Sequence, residues 1–217
     1  MNRILLIAVS LMSLGVLWGG CGSSTQQAQE DSLANRQIAS AQKISLRMTL
    51  VGFPDVETEA SRNVNDVFDQ VLYRYKQEHP GISFVLTITD DLPTPDNIAT
   101  SNIVAQPDLA LIPAHSLAYL VDQGGIEPLG ARLSAEWLES FPEESLAQCY
   151  AADVIFAIPW LEAEKPEDDW LLISFALSQH KPEAVEVMKF LAADDTALER
   201  MSEATGLRPA KKGLAAE

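Results

Sequence analysis

The chain has 217 residues, of which 47% are hydrophobic, and this is enough to build one substantial domain with its own core. Its 31 acidic residues outnumber the 15 basic ones, which gives a formal net charge of −16 at pH 7. A surface of this sign repels nucleic acid and anionic bilayers, so we exclude nucleic-acid binding.

The first residues predict a secretory signal peptide. A short start that contains Arg3 precedes residues 4–18, which are apolar apart from two serines and one glycine. A membrane-spanning helix is the alternative, but this run is shorter than the roughly 20 apolar residues that such a helix needs. No basic flank follows it, which also favours the signal peptide.

Cys21 follows two glycines, and this arrangement resembles a bacterial lipobox. Trp18 departs from that motif, which usually carries an aliphatic residue at this place. The resemblance implies that residues 1–20 are removed and that acyl chains on Cys21 hold the protein on a membrane. Residues 21–42 are polar and predict a flexible tether. With Cys21 lipidated, Cys149 has no disulfide partner and is expected to be a buried, inert thiol.

Strand and helix patterns begin after the tether. The stretch "KISLRMTLVGF", residues 43–53, alternates apolar and polar residues and predicts a strand. Apolar residues recur at three- and four-residue steps over 62–78, which predicts a helix with Ser61 as its cap. "ISFVLTI", residues 82–88, is a second strand. Strand, helix and strand should form a right-handed parallel crossover unit.

The middle of the chain continues this alternation. The predicted elements are, in order, a loop that becomes a weak helix (90–106), a buried strand "PDLALIP" (107–113), short helices (114–125 and 134–140) and a strand "VIFAIPW" (154–160).

An acidic stretch, residues 161–169, separates this strand from the next one, "WLLISFAL". A helix over 182–192 follows, and Asp194 or Asp195 can cap a last helix that Gly206 ends. The alternation predicts an α/β sandwich with helices on both faces of a mostly parallel sheet.

Candidate binding residues follow from the direction of the strands, because ligands of such sheets bind beyond the carboxyl ends. The residues after the first strand and after "DLALI" are therefore candidates: Phe53, Pro54, Asp55, Pro113, Ala114, His115 and Ser116. Trp160 closes the strand 154–160 in the same way.

The sequence carries no enzyme signature. It has no Gly-x-Ser-x-Gly, His-Glu-x-x-His or phosphate-loop motif, and only three histidines. Its acidic pairs lack the spacing of a calcium loop, and capping and solvation explain them. We therefore expect a non-catalytic protein without a cofactor or metal.

Several phrases resemble, in their order, bacterial extracellular solute-binding proteins, which deliver sugars and related solutes to ABC importers. The phrases are "YRYKQEHPGISF", "QPDLALIP", "LVDQGGIEPL", "VIFAIPW" and the segment 170–212. The resemblance implies one periplasmic-binding-protein-like lobe over residues 43–217. Members of the family build a second lobe after the Ile-Pro phrase, whereas this chain has residues 161–169. Nine residues span at most roughly 30 Å, which is too few to fold as a lobe.

The resemblance also implies a function. We expect a lipid-anchored solute-binding protein of the cell envelope that faces the periplasm or exterior, with a small solute and an ABC permease as partners. The candidate ligand residues are Phe53, Asp55, His115 and Ser116, which come from the strand geometry, and Trp160, whose indole the resemblance suggests would stack on a sugar ring. The alternative for His115 is a solvated or helix-capping role. The alternative for Trp160 is packing in the protein. The alternative function is a one-lobed scaffold, assembly factor or regulator that binds another envelope protein through apolar surface left exposed.

Overall fold

The computed structural model of the chain describes residues 43–52, 59–94, 96 and 106–214, with the side chains of α1 described from residue 64. The predicted signal peptide and tether, with Cys21, lie outside these residues. Within the described ranges, no helix has the length and apolarity needed to cross a membrane.

The strands and helices follow the predicted alternation. The strands are β1 (Ile44–Val51), β2 (Ile82–Thr89), β3 (Leu109–Pro113), β4 (Tyr150–Ala151), β5 (Val154–Ile155), β6 (Ala157–Glu162), β7 (Trp170–Ser174) and β8 (Arg208–Pro209). The α-helices are α1 (Glu59–Glu78), α2 (Leu117–Asp122), α3 (Ala135–Leu138), α4 (Glu143–Ala147), α5 (Lys181–Ala193) and α6 (Asp195–Thr205). Short 3-10 turns occupy Ala114–Ser116 and Pro166–Asp168.

The main sheet has the order β2-β1-β3-β7-β6-β8. β1 is parallel to both β2 and β3, which confirms the crossover unit. β7 is antiparallel to β3 and β6, and β8 is antiparallel to β6. The α/β class is confirmed, and β2, β1, β3 and β6 point the same way. The sheet is nevertheless mixed, because the short connection between β6 and β7 allows only an antiparallel pair.

Both faces of the central strands are covered. Consecutive residues of β3, Leu109 to Ile112, are buried, and so are residues 157–161 of β6 and 171–174 of β7. Unbroken burial of this kind requires packing on both sides of a sheet. The edge strand β2 instead alternates, with Ser83, Val85 and Thr87 exposed.

A buried carboxylate joins the parallel and antiparallel halves of the sheet. Asp108, directly before β3, accepts hydrogen bonds from the Arg47 backbone N–H (2.8 Å) and the Ser178 hydroxyl (2.6 Å). Its carbonyl accepts from the Phe175 N–H (3.1 Å) and the Ser174 hydroxyl (3.2 Å). Asp108 therefore ties β1 and the start of β3 to the end of β7.

The elements differ from the prediction in several places: β4, α4 and β8 were not predicted, β7 is shorter than the predicted strand, and two further boundaries are different. Helix α1 begins at Glu59, so Ser61 lies inside the helix and not at its cap. The phrase "VIFAIPW" is divided, because Ile155 pairs with Tyr150 in a separate hairpin before β6 begins at Ala157.

The β4–β5 hairpin turns through two residues in the left-handed region. Ala152 has a φ of 46° and Asp153 a φ of 63°. Two positive φ angles in a two-residue hairpin loop define a type I′ turn, which favours Asn-Gly. Ala is poorly suited to this conformation because its Cβ crowds the backbone.

Replacing Ala152 by Asn and Asp153 by Gly is therefore expected to raise the free energy of unfolding by about 1 kcal/mol. Urea unfolding of the full chain, followed by tryptophan fluorescence, measures the change. Ala118→Gly, at an exposed position of α2, is the control and should lower stability, since glycine is unfavourable in a helix. An unchanged midpoint for the double variant would contradict the left-handed turn.

Candidate functional site

A cavity of about 400 Å³ lies at the carboxyl ends of β1, β2 and β3. This volume is within the range of small-molecule sites, about 300 to 1,000 Å³. Its walls come from the ends of these strands, the turn after β3 and the connection before β7. The lining residues are Val51, Gly52, Asp90, Leu92, Pro113, His115, Ser116, Asp168 and Trp170.

Gly52 forms the wall where β1 ends. Its φ of 66° is left-handed, and its N–H donates to the Thr89 carbonyl at 2.8 Å, so the ends of β1 and β2 stay together. A side chain at this position would be strained, because only glycine adopts the conformation without cost.

His115 stands on the 3-10 turn after β3 and is more than half exposed. Its Nδ1 lies 3.0 Å from the Glu167 carbonyl oxygen and 4.0 Å from Asp168 Oδ1. Because a carbonyl oxygen can only accept, Nδ1 carries the proton in this contact, and Nε2 of the neutral ring is left as an acceptor. The cavity therefore offers both hydrogen-bond acceptors and an aromatic ring to a ligand.

Trp170 supplies the largest ring of this cavity. It is the first residue of β7 and pairs with Pro113 of β3 and Leu161 of β6. Since β7 runs antiparallel to β3, its first residue lies at the same edge as the carboxyl end of β3. From the sequence, Trp170 has the same two interpretations as Trp160, stacking on a sugar or packing in the protein, and it was not among the candidate ligand residues.

Trp160 lies in the core, where 2% of its surface is exposed. Its ring centroid is 5.3 Å from that of Phe68 in α1, and its Nε1 donates to the Leu191 carbonyl in α5 at 3.2 Å. The structure does not bring Trp160 to the cavity, because its side of β6 is covered by these two helices. These surroundings of Trp160 agree with the alternative that its indole packs inside the protein.

Of the remaining candidate residues, some line the cavity and others lie outside the described residues. His115 and Ser116 come together in the cavity wall, as expected from the end of β3. Phe53 and Asp55 lie outside the described residues, although Gly52, the neighbour of Phe53, lines the cavity. Asp90 and Asp168 also line it; in the sequence they belong to the acidic pairs that were weighed as calcium ligands and interpreted as caps or solvated charges.

The connection between β6 and β7, residues 163–169, is a closed hairpin loop held by Asp169. One carboxylate oxygen of Asp169 accepts from the Ala163 N–H at 2.7 Å, and the other accepts from Gln148 Nε2 at 2.5 Å. The Asp169 carbonyl accepts from the Ala114 N–H at 2.7 Å. These bonds fix the loop against the turn that carries His115, so the cavity wall is formed without a ligand.

Burial raises the pKa of the Asp169 carboxyl, and the neighbouring charge of Glu162 adds to this effect. The hydrogen bonds from Ala163 and Gln148, and the charge of Arg208, oppose it without cancelling it. Glu162 is itself bound by the Ser145 hydroxyl and by Arg208 Nη2, the latter at 3.2 Å.

Comparison with known proteins supports the fold. No family model matches the chain, and no curated protein matches its sequence. The GacH receptor of Streptomyces glaucescens, solved unliganded and with acarbose, has a TM-score of 0.58 at 9% identity over 78% of this chain and 81% of its own. Maltose-bound MalE3 of T. maritima has a TM-score of 0.59 at 11% identity over 78% and 82%. A family 1 extracellular solute-binding protein from Bifidobacterium longum subsp. infantis has a TM-score of 0.57 at 7% identity over 81% and 84%.

Two of these neighbours were solved with acarbose or maltose bound, the third is an extracellular solute-binding protein, and the chain shares the fold of all three. The predicted resemblance is thus confirmed as an α/β lobe of the periplasmic-binding-protein type.

Asp169→Asn is expected to keep the fold and to weaken the pH dependence of stability. A carboxyl whose pKa is raised on folding holds its proton more tightly in the folded state. Stability is therefore lost as pH rises from about 4, where an unfolded Asp titrates, through the folded pKa. The amide still accepts from Ala163, and rotation of the Gln148 amide restores the second bond. Urea unfolding between about pH 4 and pH 7 should show a smaller loss for this variant.

Asp169→Ala removes the hydrogen bonds as well as the charge, so comparison with Asp169→Asn distinguishes the two contributions to stability. It leaves the Ala163 N–H and the Gln148 amide without their partner and should cost about 1 to 3 kcal/mol at neutral pH. Asp168→Ala, at the exposed neighbouring position, is the matched control. Equal stability of the two alanine variants would show that the hairpin loop does not depend on Asp169.

Proposed function

We propose that the chain is a non-catalytic, lipid-anchored solute-binding protein of the bacterial envelope, and that the cavity beside Trp170 is its solute site. One observation carries the proposal: the cavity lies at the carboxyl ends of β1 to β3 in a fold shared with binders of acarbose and maltose. Open α/β sheets bind ligands at this edge.

The lining side chains suit a sugar or a similar polyhydroxylated solute. The indole of Trp170 offers a flat apolar face for a sugar ring. Asp90, Asp168 and the Nε2 atom of His115 are acceptors for hydroxyl protons, and the Ser116 hydroxyl can donate or accept. An ABC permease is the proposed protein partner of a chain with this role.

The proposal includes a shortened architecture, in which residues 161–169 replace a second lobe. The hairpin loop that connects β6 to β7 supports this, because the chain passes directly from one strand to its neighbour. A single lobe encloses a ligand incompletely, and closed sites commonly bury about 70 to 90% of their ligand. We therefore expect weak binding with rapid release.

Solute binding is tested on the full-length protein in detergent by amide NMR during titration with a panel of mono- and oligosaccharides. At millimolar sugar, the amide signals of Gly52, His115 and Trp170 should shift. Trp170→Ala should weaken the affinity at least about fivefold, because a stacking ring contributes about 1 kcal/mol or more. His115→Ala should weaken it as well, since Nε2 is lost as an acceptor.

His180→Ala is the control, because His180 precedes α5 at the opposite edge of the sheet and should leave affinity unchanged. A panel that moves none of these signals would refute the solute site. That outcome would favour the second candidate, an envelope scaffold or regulator in which a protein covers the cavity edge. The half-buried Trp170 beside the exposed hairpin loop is the observation that favours such a docking site.

The lipid anchor has a separate test. Cys21→Ser removes the thiol that the lipobox resemblance assigns to acylation, and without acyl chains the protein has no lipid to bury in the bilayer. In cells, the variant should leave the membrane fraction, whereas Cys149→Ser should remain there. A membrane-bound Cys21→Ser chain would contradict lipidation at this position.

A further inference from the structure

A second cavity, of about 530 Å³, lies at the other edge of the sheet. It is formed by the end of α1, the start of β2, helix α3 and helix α5. Its side chains include four aromatic rings and three charged groups: Tyr75, His79, Trp137, Phe190, Glu183, Glu186 and Lys189. The eight residues of β2 separate it from the first cavity by roughly 25 Å.

The aromatic walls are held in place by packing. The ring of His79 stacks on that of Tyr75 at a centroid distance of 4.2 Å, and Phe190 meets Tyr75 edge-on at 5.0 Å. Trp137 packs on Phe141 at 4.9 Å. The contact between Phe190 and Tyr75 joins α5 to α1, and the contact between Trp137 and Phe141 fixes the ring of Trp137 at α3.

The charges around these rings leave an excess of negative charge. Lys189 Nζ lies 3.0 Å from Glu186 Oε1 and neutralises it. Lys181, two residues before Glu183, is directed to Glu127 Oε2 at 2.8 Å. Among the described residues, Glu183 has no ion-pair partner.

The surroundings of Tyr75 agree with an excess of negative charge in this cavity. Its pKa is raised by burial first, and then by the charges of Glu186, Glu183 and Glu78. The cavity thus combines aromatic side chains, of which Trp137 and Phe190 are only partly buried, with a carboxylate that lacks an ion-pair partner among the described residues.

We propose that this cavity binds a small organic cation with an apolar body, of the quaternary-ammonium class. Such a cation is attracted to aromatic faces by about 0.5 to 2 kcal/mol, and its alkyl groups suit apolar walls. The carboxylate of Glu183 supplies the counter-charge. An anion would meet repulsion there, and a neutral solute would gain nothing from the charge. The site is independent of the proposed solute cavity.

Isothermal titration of the full-length protein in nonionic detergent tests this, with choline as the probe. Its neutral isostere, 3,3-dimethyl-1-butanol, has the same shape without the charge. Choline should bind at millimolar concentration, and the isostere should bind at least about fivefold more weakly. Equal binding of the two, or no heat from choline, would overturn the proposal.

Two variants locate the binding. Glu183→Gln should weaken choline binding at least about threefold, and Trp137→Leu should weaken it similarly because the ring face is lost. Glu199→Gln, an equal charge change on an exposed position of α6, should have no effect, and neither should His115→Ala. Thermal unfolding checks that each variant is folded. Unchanged binding by Glu183→Gln would refute the assignment even if Trp137→Leu failed to fold.

Discussion

One buried carboxylate fastens the part of the sheet where the strand direction reverses, between β3 and β7. Asp108 is 4% exposed, and its oxygens accept from the backbone of β1 and from Ser178 beyond the end of β7. Hydrogen bonds to charged groups contribute about 1.5 to 3 kcal/mol each, and a buried donor that loses its partner is costly. Asp108 therefore stabilises the junction at which the antiparallel strand β7 pairs with β3, which is parallel to β1.

Asp169 has the corresponding place at the other end of the β3–β7 pair. Asp108 directly precedes β3, whereas Asp169 directly precedes β7 and is 6% exposed. Each aspartate uses its side chain and its carbonyl to fasten the loop beside it. The cavity edge is thus fixed by Asp169 and the opposite edge by Asp108, so the central strands cannot slide relative to each other without losing buried bonds.

The sequence predicted elements well where apolar and polar residues recur with the period of a strand or a helix. β1, α1 and β2 show clear periods, and Asp194 and Gly206 begin and end α6 as expected. β8 was not predicted, because a strand of two residues is too short to show an alternation of apolar and polar side chains. The sequence also did not predict that Asp108 and Asp169 are buried. For Asp108 the reason is that its hydrogen-bond partners lie up to 70 residues away in the chain.

The two tryptophans beside the hairpin loop show why the site was predicted only in part. Trp160 and Trp170 flank the same acidic stretch, and both strands are buried on both faces, so no alternation reveals which ring is in the core. Their roles follow from tertiary structure: α1 and α5 cover Trp160, and the antiparallel turn brings Trp170 to the carboxyl edge of β3. His115 was predictable because the turn after a parallel strand lies at that edge whatever its neighbours do.

Under the proposed one-lobed architecture, the solute site would signal differently from that of a two-lobed binder. Two-lobed proteins report a ligand by closing around it, which requires two states with different ligand affinity. In the described residues the chain passes between β6 and β7 through a short loop whose ends Asp169 fastens to Ala163 and Gln148. A bound solute would instead change the surface at the cavity edge, where Trp170 and the exposed loop residues meet any partner. Recognition by a permease or another envelope protein would then depend on contact with the ligand itself.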